Sequence, residues 1–446
     1  MSRDVNSKYW DEKLETLPRE ELERKQLEDL KEIVQFAYDH APYYKRSFDE
    51  AGVKPSDIKT LSDIQKFPFI DKKTQRDTQG VGSFLGELAA VPEEDVVFIS
   101  TSSGSTGVPT MSPFTKKDFD EFQDTESRWF WQVGMRPSDR YVHALNFSLY
   151  VGGPDVIGAQ NLGALCIWGG TLPSERLLFV LKTYQPTVIW TSPSYAWQLG
   201  EKALKSGIDP KKDLNIKKII VAGELGGSID STRKAIEDLW GAEVYDFYGL
   251  SDIFGACAAM CEAKDGLHIA ENHILVETVD IHTGEVLKPG EVGELVFTTL
   301  RKHARPLIRF RTGDIGWIDN TPCSCGRTHG RIHINGRKDD MFIVSAVNVF
   351  PSDIEAVIRE ISGITGEYLI RVFEKDFTCK YAVEIEKNED NTKTDDEVAA
   401  EVSAALKARI GVKPNYVVVH LDGGLDTRSE HKSKRIIDER KLDYSI

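Results

Sequence analysis

The chain has 446 residues, of which 40% are hydrophobic and 28% charged, enough to bury a large core and to divide into two or three domains. Acidic residues outnumber basic ones, 71 against 56, for a formal charge of −15, which argues against wholesale binding of nucleic acid or of an anionic membrane surface. No uncharged apolar run is long enough to cross a bilayer, and the first residues, Met-Ser-Arg-Asp-Val-Asn-Ser, lack the apolar stretch of a leader; the expected compartment is the cytoplasm.

Residues 1 to about 90 are expected to be mostly helical. Arg19 to His40 places Leu22, Leu27, Leu30, Ile33, Val34 and Ala37 at helical spacing, and Pro42, Pro55, Pro68 and Gly80 then interrupt the pattern. From Asp95 to about Tyr248 apolar strand candidates alternate with helices. The strands are Tyr141–Leu145, Leu165–Trp168, Thr187–Thr191, Ile216–Val221 and Glu243–Phe247; the helices include Pro173–Thr183, Tyr195–Ser206 and Ser228–Leu239. Such alternation predicts an α/β fold, a mostly parallel sheet with helices on both faces. From Leu275 to Trp317, turn sequences such as His282-Thr-Gly-Glu and Lys288-Pro-Gly-Glu separate short strands, which predicts a β subdomain at about 270–335. After it a small α+β domain is expected at 339–446, with a strand at Tyr381–Glu386 and a helix at Asp395–Ile410. The first domain then spans 1–338.

Thr101 to Pro109 reads Thr-Ser-Ser-Gly-Ser-Thr-Gly-Val-Pro, directly after the β-branched run Asp95 to Ser100. A strand ending in small hydroxyl and glycine residues can wrap backbone N–H groups and hydroxyls around a phosphate, because no bulky Cβ holds the anion away. The order is not that of the Walker loop, and a flexible Gly/Ser linker has the same composition. Tyr245-Asp-Phe-Tyr-Gly-Leu-Ser-Asp252 ends a strand with an aromatic, a glycine and a carboxylate, at the sheet edge where open α/β folds bind ligands. Arg309-Phe-Arg-Thr-Gly-Asp314 offers a carboxylate on a turn, able to accept two ribose hydroxyls or to serve the turn itself. Ser429-Glu-His-Lys432-Ser-Lys434-Arg435 is a basic cluster in an acidic chain. Cys257 and Cys261, with Cys323-Ser-Cys325-Gly, form two close thiol pairs, and His268 or His329 can complete a tetrahedral zinc site; which four of these take part stays open at this point.

These segments occur in the order and approximate spacing of the adenylate-forming (acyl-CoA synthetase) superfamily, and most resemble phenylacetate-CoA ligases. The resemblance rests on Thr101–Pro109, Tyr248-Gly-Leu-Ser-Asp252, Asp265-Gly-Leu-His268, Arg311-Thr-Gly-Asp314, Gly336-Arg-Lys-Asp-Asp340, Val347-Asn-Val-Phe-Pro351 and Lys432. It implies that an aryl carboxylic acid attacks ATP to give an acyl-adenylate, which coenzyme A then takes as a thioester. By this resemblance Ser102, Ser103, Gly104, Ser105, Thr106 and Gly107 hold phosphates. Glu224, Asp246, Phe247, Tyr248, Gly249, Asp314 and Arg337 line the nucleotide. Phe147, Tyr150, Gly223 and Tyr248 line the acid pocket, Asp252 holds Mg²⁺, and Lys432 reaches the α-phosphate during adenylation with Asp339 as hinge. Zn²⁺ is implied as a structural ion on Cys261, His268, Cys323 and Cys325, and a homodimer is implied as well. Two departures stand out: Asp252 replaces the family's usual Glu, and Thr110 follows Pro109 where a lysine is common. Two other outcomes are compatible with the same motifs, an adenylating enzyme that passes its acyl group to an amine or carrier protein, and a nucleotide-binding protein that has lost catalysis.

Overall fold

The computed structural model describes residues 4–102, 109–145, 151–170, 172–345, 347–375, 378–425 and 435–441. Four helices come first: α1 (Glu12–Glu15), α2 (Arg19–His40), α3 (Pro42–Ala51) and α4 (Lys72–Thr78). Helix α2 buries Leu22, Leu30, Ile33, Val34 and Ala37, the stripe its spacing predicts. Pro42 starts α3 rather than breaking the chain, at a first-turn position where its missing N–H costs nothing. A hairpin follows, β1 (Val96–Thr101) antiparallel to β2 (Met111–Thr115).

Next comes α5 (Lys116–Gln132), which the apolar periodicity did not reveal because its buried face includes Asp118, Glu126, Ser127 and Arg128. A capping box starts it: Asp118 N donates to Thr115 Oγ1 at 3.1 Å, and Thr115 N to Asp118 Oδ2 at 3.0 Å. The alternating region is β3 (Arg140–His143), α6 (Asp155–Leu162), β4 (Leu165–Trp168), α7 (Ser174–Tyr184), β5 (Val188–Thr191), α8 (Pro193–Lys205), α9 (Pro210–Asp213), β6 (Lys218–Ala222), α10 (Asp230–Trp240) and β7 (Glu243–Leu250). Strands β4, β3, β5, β6 and β7 pair in parallel in that order, as the alternation predicts.

Beyond β7 the sheet turns antiparallel without ending. Strands β8 (Phe254–Met260), β9 (Leu267–Ile269), β10 (Ile274–Val279), β11 (Gly293–Thr299), β12 (Phe310–Asp319) and β13 (Arg331–Arg337) extend it to 11 strands, ordered β10-β11-β12-β13-β9-β8-β7-β6-β5-β3-β4. The separate β subdomain predicted from turn chemistry is thus a continuation of the large sheet. The join is slender, two residue pairs, Arg331↔His268 and Ile332↔Leu267.

After the exposed turn at 338–340 the chain builds a small hairpin, β14 (Phe342–Val344) with β15 (Val347–Val349), and helix α11 (Pro351–Glu360). A four-stranded sheet, β18-β17-β16-β19, follows from β16 (Ile364–Lys375), β17 (Thr378–Lys387), β18 (Val417–Leu421) and β19 (Ile436–Asp438), with α12 (Asp395–Ile410) packed on it. Its core of Ile354, Ile358, Tyr368, Ile370, Val383, Ile385 and Val402 is separate from the two cores of the larger part. The two parts meet where Thr232 Oγ1 donates to Glu355 Oε1 at 2.9 Å, Ser231 Oγ donates to the Ala356 carbonyl at 3.2 Å, and Arg359 lies 5.1 Å over the Trp197 ring. Among the described residues no helix is long and apolar enough to cross a membrane.

Candidate active site

Strand β1 runs into the loop of small residues and β2 leaves it. Ser103, Gly104, Ser105, Thr106 and Gly107 lie outside the described residues, but the neck of the loop is defined. Ser102 N donates to the Thr110 carbonyl at 3.0 Å, and Thr110 N donates to Ser102 Oγ at 3.0 Å. Gln79 clamps the returning strand, donating to the Pro109 carbonyl at 3.2 Å and accepting from Met111 N at 2.7 Å.

Asp252 sits at this neck, 2% exposed. Its Oδ2 accepts from the Lys72 ammonium, and its Oδ1 accepts from Thr110 Oγ1 at 3.1 Å with Arg305 at 3.8 Å. Burial by itself raises the Asp252 carboxyl, but Lys72 and Arg305 outweigh it and hold the group below its usual range. Lys302, fully buried, donates to the Asp252 and Ile253 carbonyls at 3.1 and 2.6 Å and fixes the turn. Both Asp252 oxygens accept in this arrangement, Oδ2 from Lys72 and Oδ1 from Thr110. The carboxylate anchors Lys72 beside the loop neck, where Lys72 Nζ is 3.5 Å from Thr110 Oγ1. Lys72 was not among the residues singled out from sequence: it opens a seven-residue helix 180 positions from its partner, and nothing local marks it.

The second group is Tyr248, Asp314 and Arg337. Tyr248 leaves the end of β7 and donates to Asp314 Oδ2 at 2.5 Å, while Arg337 on β13 donates to Asp314 Oδ1 at 2.8 Å. Burial, then the neighbouring Asp314 charge, pushes the Tyr248 hydroxyl well up, so it stays a donor. The two arginines adjoining Asp314 in sequence turn away from it: Arg309 pairs with Glu277 at 3.0 Å and Arg311 pairs with Glu294. The antiparallel β12–β13 ladder supplies Arg337 instead, placing it directly opposite Asp314. Asp339, exposed on the turn after β13, lies 3.7 Å from the Arg337 guanidinium.

Strand alternation divides the remaining predicted residues. Asp246 is buried, accepts from Ser228 Oγ, and is pushed up to about 7 by burial. The Phe247 ring faces the other way, packed 5.2 Å from Trp190 and 6.1 Å from Phe130, so its side chain belongs to the core. Gly249 is held to glycine by a close approach: a Cβ there would collide with the Gly255 carbonyl. Gly223, at φ +86°, and Glu224 form the turn after β6, where Glu224 accepts from Ser194 N at 3.1 Å and Ser194 Oγ at 2.9 Å. Phe147, Tyr150 and Lys432 lie outside the described residues.

The structure brings four of the cysteine and histidine candidates together. Cys261, His268, Cys323 and Cys325 are all buried, and their ligand atoms lie within 4.8 Å of one another. Cys261 Sγ is 3.7 Å from Cys323 Sγ, close to the roughly 3.8 Å separating two thiolates on one tetrahedral zinc at about 2.3 Å each. Cys325 Sγ is 3.2 Å from His268 Nε2, and His268 Nδ1 faces the His329 carbonyl at 2.9 Å, which holds the ring with Nε2 toward the thiols. Cys257 instead donates to the Tyr248 carbonyl at 3.5 Å, and His329 faces the carbonyls of Ile269 and Leu14. Cys166 and Cys379 are half-buried, each packed against one of the cores.

A sheet edge carrying a hydroxyl-lined loop neck, an anchored lysine and a Tyr–Asp–Arg group suits a nucleotide, and the comparisons agree. The AMP-binding enzyme model matches residues 15–300, and the AMP-binding enzyme C-terminal domain model matches 346–440. The chain belongs to the AMP-binding enzyme family. Within it the chain is 36% identical to a phenylacetate-coenzyme A ligase of Thermus thermophilus over 96% of this chain and 99% of that protein. It is 34% identical to one of Escherichia coli, over 96% and 97%. Among solved structures, 2-hydroxyisobutyryl-CoA ligase in its postadenylation state superposes with a TM-score of 0.93 at 29% identity, covering 99% of this chain and 94% of that one. The same ligase in its thioesterification state gives 0.73, covering 98% and 95%. The present chain thus superposes better on the postadenylation structure of that ligase than on its thioesterification structure.

Proposed function

We propose that this chain is an ATP-dependent, AMP-forming acid–CoA ligase acting on an aryl carboxylic acid of phenylacetate-like or benzoate-like form. The observation that carries it is the convergence of Tyr248, Asp314 and Arg337, in a chain similar over 96% of its length to a phenylacetate-CoA ligase. In the first step a carboxylate oxygen of the acid attacks the α-phosphorus of ATP, the bond to the β-phosphate breaks, and pyrophosphate leaves. In the second the CoA sulfur attacks the acyl carbon, loses its proton, and AMP leaves with the electron pair of the acyl–oxygen bond.

Both steps need phosphate charge neutralised and the reactants held in line. Asp314, paired with Arg337, accepts the ribose hydroxyls. The 102–107 loop receives the phosphates of ATP, which bring their own Mg²⁺. Lys72 supplies a fixed positive charge at the loop neck, where Thr110 takes the place of the lysine common in the family. Lys432 enters to stabilise the α-phosphate in the first step and withdraws for the second, a role suited to a point charge on a long flexible stem. Cys261, His268, Cys323 and Cys325 fit a closed, structural zinc, which when bound supplies a cross-link between the ends of β8, β9 and the β12–β13 turn. The cytoplasmic location and the homodimer belong to the same proposal.

Pyrophosphate release is the test, measured with ATP, Mg²⁺ and a panel of benzoate, phenylacetate, indole-acetate and short aliphatic acids, each with and without CoA. Turnover with an aryl acid that needs CoA is expected. Turnover confined to aliphatic acids would overturn the substrate class, and release from no acid would overturn the ligase.

A further inference from the structure

A cavity of about 510 Å³ lies on the seam between the two parts, within the size range of small-molecule sites and at a domain boundary, where such sites collect. Its walls come from both parts. Trp197 and Glu201 of α8 belong to the larger; Arg359 of α11, Ile364 of β16, Glu389 and Asp422 belong to the smaller.

Arg359 is the unanswered group among them. Its side chain is 3% exposed, and its Nε and Nη1 are buried without a hydrogen-bond partner. Glu355 Oε1 stands 3.8 Å from Nε, beyond hydrogen-bond reach, and already accepts from Thr232 Oγ1 at 2.9 Å, while Glu355 Oε2 accepts from Tyr368 Oη at 2.9 Å. Room for the guanidinium is built into the wall: Gly366 sits at φ +84°, and a Cβ there would collide with Arg359 Nη1. A buried cation with open N–H groups weakens the fold until an anion meets it, and a carboxylate does so through strong, charge-assisted hydrogen bonds.

The rest of the lining says what accompanies that anion. Carboxylates outnumber cations: Glu201, Glu389, Asp390 and Asp422 line the cavity with Arg359, and Lys205 offsets only Asp422, at 3.3 Å. Burial raises the Glu201 carboxyl above its usual range, Lys205 lowering it and Asp422 adding to the rise. Such surroundings repel a bare anion and favour one that carries an ammonium beside its carboxylate. Trp197 and Ile364 leave an apolar wall between the charges.

We propose that the seam cavity binds an α-amino acid with an apolar side chain, its carboxylate on Arg359, its ammonium among the acidic side chains and its body against Trp197 and Ile364. Because both parts supply walls, the bound amino acid favours the arrangement that holds the cavity. This consequence rests on the ligase reading: an occupied seam delays withdrawal of the small part, slowing transfer to CoA and sparing adenylation.

Binding is tested by calorimetry on the full chain without ATP, acid or CoA. The probes are L-leucine, L-phenylalanine, 3-phenylpropanoate, which lacks the ammonium, 2-phenylethylamine, which lacks the carboxylate, and inorganic phosphate. An amino acid is expected to bind at least about tenfold tighter than either analogue with one charge, and Arg359→Met to weaken it at least about tenfold. Glu201→Gln should weaken the amino acid and leave 3-phenylpropanoate unchanged, and it carries the assignment to the seam if Arg359→Met does not fold. A saturating amino acid should then slow conversion of acyl-adenylate to thioester at least about threefold without slowing adenylate formation. No binding of either amino acid up to about 10 mM, tighter binding of phosphate, or binding that neither variant changes overturns the site. Binding that leaves both half-reactions unchanged overturns the coupling. Pyrophosphate release without amino-acid binding leaves the ligase standing, whereas binding without release from any acid overturns the ligase and leaves the site.

Discussion

Lys72 and Asp252 are the residues whose roles the fold most changes. From its position in the Tyr248 motif Asp252 is a metal ligand in waiting; in place it is the buried anchor of a lysine that points at the loop neck. If Lys72 neutralises phosphate charge, Lys72→Met should lower kcat for pyrophosphate release by about a hundredfold, the scale of losing one electrostatic contact to a developing charge. Melting temperature should move only a few degrees, since Arg305 still faces Asp252. A purely structural pair would do the reverse, lowering the melting point and sparing kcat of the folded enzyme. The residues legible beforehand were those that stand in recognisable motifs: Tyr248, Asp314 and Arg337 lie together as the motifs imply. Lys72 was hidden because it acquires meaning only from a partner 180 positions along the chain, and a lone Lys in an amphipathic stretch reads as solvent-facing.

At the scale of elements, periodicity located the helices with one apolar stripe and the parallel strands to within a residue or two, as with α2, β4 and α12. It missed α5, whose buried face is half polar, and it split the antiparallel strands from a sheet they continue, because turn sequences report local reversal and not which neighbour a strand joins. The cysteine cluster draws together the end of β8, β9 and the β12–β13 turn. Beside it the buried Arg327–Glu15 pair, at 2.7 Å, ties in α1. Purified protein is expected to carry about one zinc per chain, and removal by a strong chelator should lower the melting temperature by at least about 5 °C, since a structural metal contributes folding energy directly. Less than about half an equivalent after zinc-replete expression would contradict four-ligand binding. Replacing Cys323 by Ser should reproduce the chelator's effect, and replacing Cys257 should not.

For the molecule as a whole, the decisive property is that one active site serves two reactions. Among the described residues the small C-terminal part is held against the larger one by Thr232 to Glu355, Ser231 to the Ala356 carbonyl, Ser352 to the Asn335 carbonyl and the Lys205–Asp422 pair, and a cavity of about 510 Å³ opens at this seam beside Trp197 and Arg359. A seam tied by a handful of polar contacts suits the proposed movement of this domain between the two steps. Its present arrangement matches the postadenylation state of 2-hydroxyisobutyryl-CoA ligase, TM-score 0.93, better than the thioesterification state, 0.73. The most direct measurement is a rapid-quench single turnover with radiolabelled acid and Mg-ATP, first without CoA and then chased with it. The account predicts acyl-adenylate approaching one per chain before the chase, and its complete conversion to the CoA thioester afterwards. Thioester formed without any adenylate accumulating, or adenylate that CoA leaves untouched, would contradict it.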